Sequence, residues 1–405
     1  MDIIGLTIRE VSVFTSRPMI PRHEFAERRR RAAATAKAAG LRGLLVAARG
    51  GGSLDRYGDV MYLANFYTLF PYIPDLPGNW NARAHTFLVL TAEGEARLVV
   101  DCEPDDRVAL DTTDIIRADL VVDGVVAALR ALGLDKGPVG LVGGDVMTVD
   151  VHQAISAALP AVQWRNAQTI LADLRAVKSP AEIALLRRAS ELGSRATDAM
   201  MQAARPGATH GDVIAAGQAV IAPAGGILYN SFMSSGTGGD GPAEVRTGFP
   251  TWASPVPLKE GQWFHIGLSG VLDGYYFDLA RSRPIGKPSN RQIDLFEASI
   301  AAVEAGIQAV KVGTTAEAVA AAGLGKQRAL GFELTGNFSG LGHGVGLGWD
   351  SPWLAPGDRT VLKPGMVLCI ERGIRQDGFL GDFEETVIVT EAGPEKITNA
   401  QVRYW

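Results

Sequence analysis

Five charged or ionisable side chains sit inside stretches that otherwise read as apolar strands. His265 lies in QWFHIGL, Asp278 in GYYFDLARS, Glu371 in MVLCIERGI, and Glu384 and Glu385 in DFEETVIVT. His343 interrupts a glycine run, GLGHGVGL. One charge on a strand commonly faces water. Several facing inward need partners or a metal. Carboxylates with an imidazole suit a divalent transition ion such as Mn, Fe, Co or Zn, whereas all-oxygen ligation suits Mg or Ca. Neither Cys102 nor Cys369 has the spacing of a zinc site. Glycine contributes no core volume and tolerates unusual backbone angles. The run around His343 therefore reads either as backbone lying close to something else or as a turn with an incidental histidine.

The elements that must position these groups follow from the whole chain. Its 405 residues exceed one ordinary core and imply two domains. With 47% apolar and 20% charged residues it reads as a soluble globular protein. A net charge of −5 gives no footprint for nucleic acid, and the basic run RHEFAERRRR at 22–31 reads as the solvated face of a helix. Two cysteines in separate regions suit a reducing cytoplasm. The opening MDIIGLTIREVSVF does not read as a signal peptide, and no stretch approaches the ~20 apolar residues of a membrane span.

Residues 1–165 alternate helical and strand-like segments, which predicts an α/β domain: a helix over about 22–40, a strand at RGLLVAA, a hairpin around TAEGE, and further helices at VVDGVVAALRALG and VDVHQAISAAL. The proline- and aromatic-rich stretch 67–84 reads as a long functional loop. A second domain, 166–405, opens on a helix for which Ser179 is the N-cap, Pro180 the first residue and Glu182 the end of a capping box. Within it MQAARPGAT at 201–209 echoes IQAVKVGTT at 307–315, each ending in a Thr suited to capping the next helix. The echo suggests duplicated halves with a cleft between them.

These segments and their order resemble the pita-bread family of creatinase, aminopeptidase P, prolidase and methionine aminopeptidase. LRAVKSPAEIALLRRA is similar to that family's linker and first helix, DGYYFDLARS to its second-aspartate segment, GLGHGVGL to its histidine segment, LKPGMVLCIERGI to its first-glutamate segment and GDFEETVIVTEAG to its closing strand. The resemblance implies an α+β fold, with a C-terminal pita-bread domain and a smaller creatinase-type α/β N-terminal domain. It places Asp278, His343, Glu371 and Glu384 at metal-ligand positions for one or two ions, and it implies a homodimer to whose cleft the partner's 67–84 loop contributes.

Three departures bear on function. Where the family has its first ligand aspartate, this chain has WFHIGLS, so His265 is a candidate ligand, a general base or a packed histidine. No histidine occurs in SFMSSGTGGDGPAEVRTGFP, where the family carries one. Asp350 stands where a second histidine normally follows the first, and reads as a general base, a substrate anchor or a turn residue. Tyr276, Trp349 and Trp353 read as packing or as a surface for a flat or cationic substrate. The leading expectation is a metal-dependent hydrolase cleaving a C–N bond in a small molecule or dipeptide. The alternatives are a lyase similar to dimethylsulfoniopropionate lyase, a metal-free creatinase-like enzyme, and a binding protein without chemistry.

Overall fold

The computed structural model describes residues 19–50, 54–68, 70, 85–104, 106–237, 245–246, 256–334 and 339–405. The expected loop 67–84 and the stretch 238–255 lie almost wholly outside the described residues.

Strand Gly43–Arg49, GLLVAAR, is buried along nearly its whole length and so must be covered on both faces. It sits inside a six-stranded sheet with spatial order Ile115–Arg117, Ala96–Val100, His85–Thr91, Gly43–Arg49, Gly137–Val142, Val162–Asn166. The TAEGE hairpin pairs antiparallel as expected, and the outer strands run parallel to their neighbours. Helices Arg22–Ala38 and Gly58–Ala64 contribute to the apolar layer on one face, and Val121–Ala131 and Val149–Ala158 to the layer on the other.

The basic run departs from its expected role. Arg28 is buried, pairs with Glu24 at 2.6 Å and Glu182 at 3.1 Å, and lies 4.3 Å above the Tyr62 ring. A helix one turn wide cannot point four consecutive side chains outward, so one of them must turn toward the protein.

In the second half each helix pair precedes a sheet. Pro180–Ala203 and His210–Ile221 lead into a sheet ordered Tyr275–Pro284, Trp263–Leu272, Ile227–Gly236, Val245–Arg246. Asn290–Ala309 and Ala316–Ala329 lead into one ordered Trp349–Trp353, Gly342–Val345, Val367–Gln376, Phe379–Thr390, Gly393–Lys396. This is the two-halved plan that the sequence echo suggested. Ser179 and Thr209 both form full capping boxes, while Thr315 holds the N-cap position without a side-chain cap bond.

Two polar seams tie the halves and the N-terminal domain together. Glu182 of the capping box accepts from the Tyr275 hydroxyl at 2.9 Å while pairing with Arg28, which fixes the strand carrying Asp278. Arg175 bridges Asp59 at 2.8 Å and Asp350 at 2.6 Å, and Lys178 stands 3.5 Å from Asp350.

Candidate metal centre

Strand register builds the site. The two-residue turn Asp273–Gly274, with φ of 51° and 88°, closes the hairpin and pairs Asp278 with Ser269, Ala280 with Gly267 and Ser282 with His265. Residues two apart share a face, so these pairs form three rows on one surface. In the other half, Cys369 pairs with Thr386, Glu371 with Glu384 and Gly373 with Asp382, while His343 pairs with Cys369 from the far side. The two surfaces meet. Asp278 Oδ2 is 3.7 Å from His343 Nε2, and His265 Nε2 is 3.0 Å from Asp382 Oδ2. Ser282 Oγ accepts from the Asp382 backbone N–H at 2.7 Å, locking the second end. One end is thus Asp278 with His343 and Cys369, the other His265 with Asp382, and Glu371 and Glu384 form the row between.

At the first end the ligand atoms of Asp278, His343 and Cys369 all lie within 4.8 Å of one another. His343 Nδ1 is 3.0 Å from the Gly344 carbonyl oxygen. A carbonyl only accepts, so Nδ1 carries a proton, and Nε2 is the ring atom turned toward Asp278. Asp278 accepts from Ser269 Oγ at 2.8 Å and from the Trp349 indole N–H at 2.6 Å. The glycines have a definite job here. Gly342 has φ 140°, and a Cβ on it would stand 1.9 Å from the Cys369 carbonyl oxygen. A Cβ on Gly344 would stand 2.3 Å from the Ser351 carbonyl oxygen. Neighbouring strands, rather than open cleft, are what the backbone lies close to.

The electrostatics are those of a cation site. Burial pushes Asp278 above the usual carboxylate range, against the pull of His343, Ser269 and Trp349. Glu371 is held well above that range by loss of solvation first, then by Asp382 and Asp278, and is hydrogen-bonded with Asp382. Glu384 is raised well above it by burial and then by Asp278, Glu371 and Asp382. Glu384 Oε1 and Asp382 Oδ1 are buried without a hydrogen-bond partner. Crowded carboxylates with orphaned oxygens are stabilised by a shared proton or a cation.

Glu385 points the other way. It pairs with Arg281 at 2.9 Å inside the core, and Arg281 also bonds the Glu384 and Ala400 carbonyls. Asp350 has one carboxylate oxygen on Arg175 and the other facing Lys178. Tyr276 is buried, edge-on to Tyr229 at 5.4 Å. Trp349 and Trp353 are 46% and 42% exposed, so both can meet a ligand, and their rings flank His343 at 5.2 and 5.7 Å. Beside them an interdomain cavity of about 210 Å³ is lined by Arg56, Asp59, Gln168, Arg175, Trp349 and Asp350 among others. Position 267, which faces the Glu371–Glu384 row, is glycine, and a Cβ there would meet nothing closer than 3.8 Å. Sequence reasoning missed Cys369 and Asp382. Each lies two residues before a candidate glutamate, the spacing that puts strand residues on one face.

A buried carboxylate–imidazole cluster where two αβ halves meet, beside an α/β N-terminal domain, defines a metallohydrolase scaffold. The chain belongs to metallopeptidase family M24, which it matches over residues 184–391, and it carries a creatinase/prolidase N-terminal domain over 28–177. The fold is accordingly the α+β pita-bread architecture that the sequence motifs resemble. Among curated relatives, an Xaa-Pro dipeptidase of Pyrococcus furiosus is 27% identical over 59% of this chain and 68% of its own. An ectoine hydrolase of Halomonas elongata is 25% identical over 66% of this chain and 69% of its own. The crystal structure of dipeptidase PepE from Mycobacterium ulcerans superposes with a TM-score of 0.76 at 25% identity, covering 95% of this chain and 98% of that one. Among the described residues no helix is long and apolar enough to cross a membrane.

Proposed function

We propose that this protein is a metal-dependent hydrolase that cleaves a C–N bond in a dipeptide or a small amide-like molecule. The observation that carries this reading is the convergence of Asp278, His343 and Cys369, whose ligand atoms lie within 4.8 Å of one another, beside the Glu371–Glu384 row, in which the buried Glu384 Oε1 lacks a hydrogen-bond partner. Relatives named as dipeptidases and as an ectoine hydrolase support both substrate classes. Asp278, His343 and Glu384 would hold a divalent ion of the Mn, Fe, Co or Zn group, with Glu371 beside them. When bound, that ion supplies an activated water and Lewis acidity at the scissile carbonyl. Trp349 orients Asp278 through its indole N–H, and the protonated Nδ1 of His343 fixes that ring. His265 stands beside Asp382 and 3.3 Å from Ser234 Oγ, placed to take and return a proton at Nε2. With glycine at 267, the first end is the one compact donor set among the described residues, which favours one ion over two. Trp349 and Trp353 would seat the substrate, with Tyr276 behind them as packing. Asp350 would act through Arg175 and Lys178 rather than on substrate. Two cysteines in separate regions of the chain favour the cytoplasm, and family resemblance favours a homodimer.

The test is equilibrium dialysis of chelator-treated protein against Mn, Fe, Co and Zn, beside Glu371→Gln, with Xaa-Pro dipeptides and cyclic amides as substrates. Binding and turnover in the parent, both lost in the variant, are expected. Glu371 is raised on folding, so its contribution to stability is present below its unfolded pKa and lost as pH rises through its folded one. Glu371→Gln therefore raises the thermal stability of the metal-free protein at neutral pH while removing stabilisation by metal. Turnover that survives exhaustive chelation would replace this reading with a metal-free one in which His265, held by Asp382, moves the proton.

A further inference from the structure

Register places Cys369 between His343 and Thr386 in one row across three strands. The thiol is fully buried. Its sulfur lies 3.5 Å from Thr386 Oγ1, and that hydroxyl donates to the Asp278 backbone carbonyl at 3.3 Å. With its proton so engaged, the Thr386 hydroxyl can serve the sulfur only as an acceptor. The sulfur lies within 4.8 Å of the ligand atoms of both Asp278 and His343. Imidazole, carboxylate and thiol thus form a compact three-donor set, with Glu384 in the next row.

We infer that Cys369 is a thiolate ligand of the ion held by Asp278 and His343, so that the centre selects zinc, cobalt(II) or iron(II) over manganese and magnesium. This rests on the metal reading above. On binding, the S–H bond breaks, a sulfur–metal bond forms, and the proton passes to solvent. Thiolate and Asp278 carboxylate then balance the dication, with His343 neutral. The soft sulfur donor supplies the preference, because manganese and magnesium favour oxygen ligands. Sequence spacing could not show this: Cys369 has no second cysteine near it, and its partners come from separate strands.

The experiment uses the full chain with Cys102→Ser, which leaves Cys369 as the single thiol. Chelator-treated protein is titrated with cobalt(II) and followed by absorbance. A near-ultraviolet thiolate-to-cobalt charge-transfer band growing to stoichiometric saturation is expected. Adding Cys369→Ser should abolish the band and weaken zinc binding by about tenfold or more, with little effect on manganese. The band in the single-thiol parent carries the assignment even if the serine variant folds poorly. Stoichiometric cobalt binding without the band would overturn the thiolate ligand and leave the metallohydrolase reading standing. No binding of cobalt or zinc at all would overturn both.

Discussion

Replacing Asp350 by asparagine separates two roles that the sequence leaves open. In the structure its carboxylate stands 2.6 Å from Arg175 and 3.5 Å from Lys178, with all three side chains at most 12% exposed. Removing one partner of a buried ion pair costs about 3–5 kcal/mol, because the remaining charge is stranded. Three features reduce that here. The amide oxygen of the new side chain would still accept a hydrogen bond from Arg175. Arg175 keeps Asp59 at 2.8 Å. Lys178, whose pKa burial already lowers, can shed its proton, as arginine cannot. The expected loss is therefore about 2–3 kcal/mol. It is read as a lower denaturant midpoint, with a modest loss of turnover from loosening of the Trp349–Trp353 strand. Asp59→Asn shares Arg175, so the double variant should be non-additive by about 1 kcal/mol or more. The opposite pattern would refute the clamp: stability within about 0.5 kcal/mol of the parent, as at an ordinary surface site, and turnover down about a hundredfold or more. Asp350 would then be the proton carrier.

Trp349→Phe removes the indole N–H that orients Asp278 and should weaken metal binding by about 10–100-fold, measured by competition with a chelating dye; unchanged affinity would mean that the bond is incidental. His210 is fully buried and its pKa is lowered by burial to about 4 from 6.5. Both states are neutral above the unfolded value, so the chain loses stability as pH falls from about 6.5 to 4, where only the unfolded state takes up the proton. His210→Gln should flatten that part of the pH–stability curve by up to about 3 kcal/mol, and a curve parallel to the parent's would refute the assignment.

Much of the fold is legible in local chemistry. Ser179, Pro180 and Glu182 announce the long helix, TAEGE the N-terminal hairpin, and the 201–209 and 307–315 echo the two halves, because capping, turn and periodicity rules act over a few residues. The candidate ligands are legible for the same reason: Asp278, Glu371 and Glu384 are charges inside strand patterns, which burial makes costly. The sequence alone did not settle which way neighbouring charges face. Glu384 and Glu385 look alike in the chain, yet alternation turns one into the site and the other onto Arg281. Nor could it show that Arg28 turns inward, that Asp350 meets Arg175, that Asp382 stands beside His265, or that Cys369 shares a row with His343. Those facts depend on strand register and on contacts between segments far apart in the chain, such as Arg175 with Asp350 and His265 with Asp382, where one residue of slip would exchange the two faces. What the residues are was written in the chain; which of them meet was decided by the packing of its two halves.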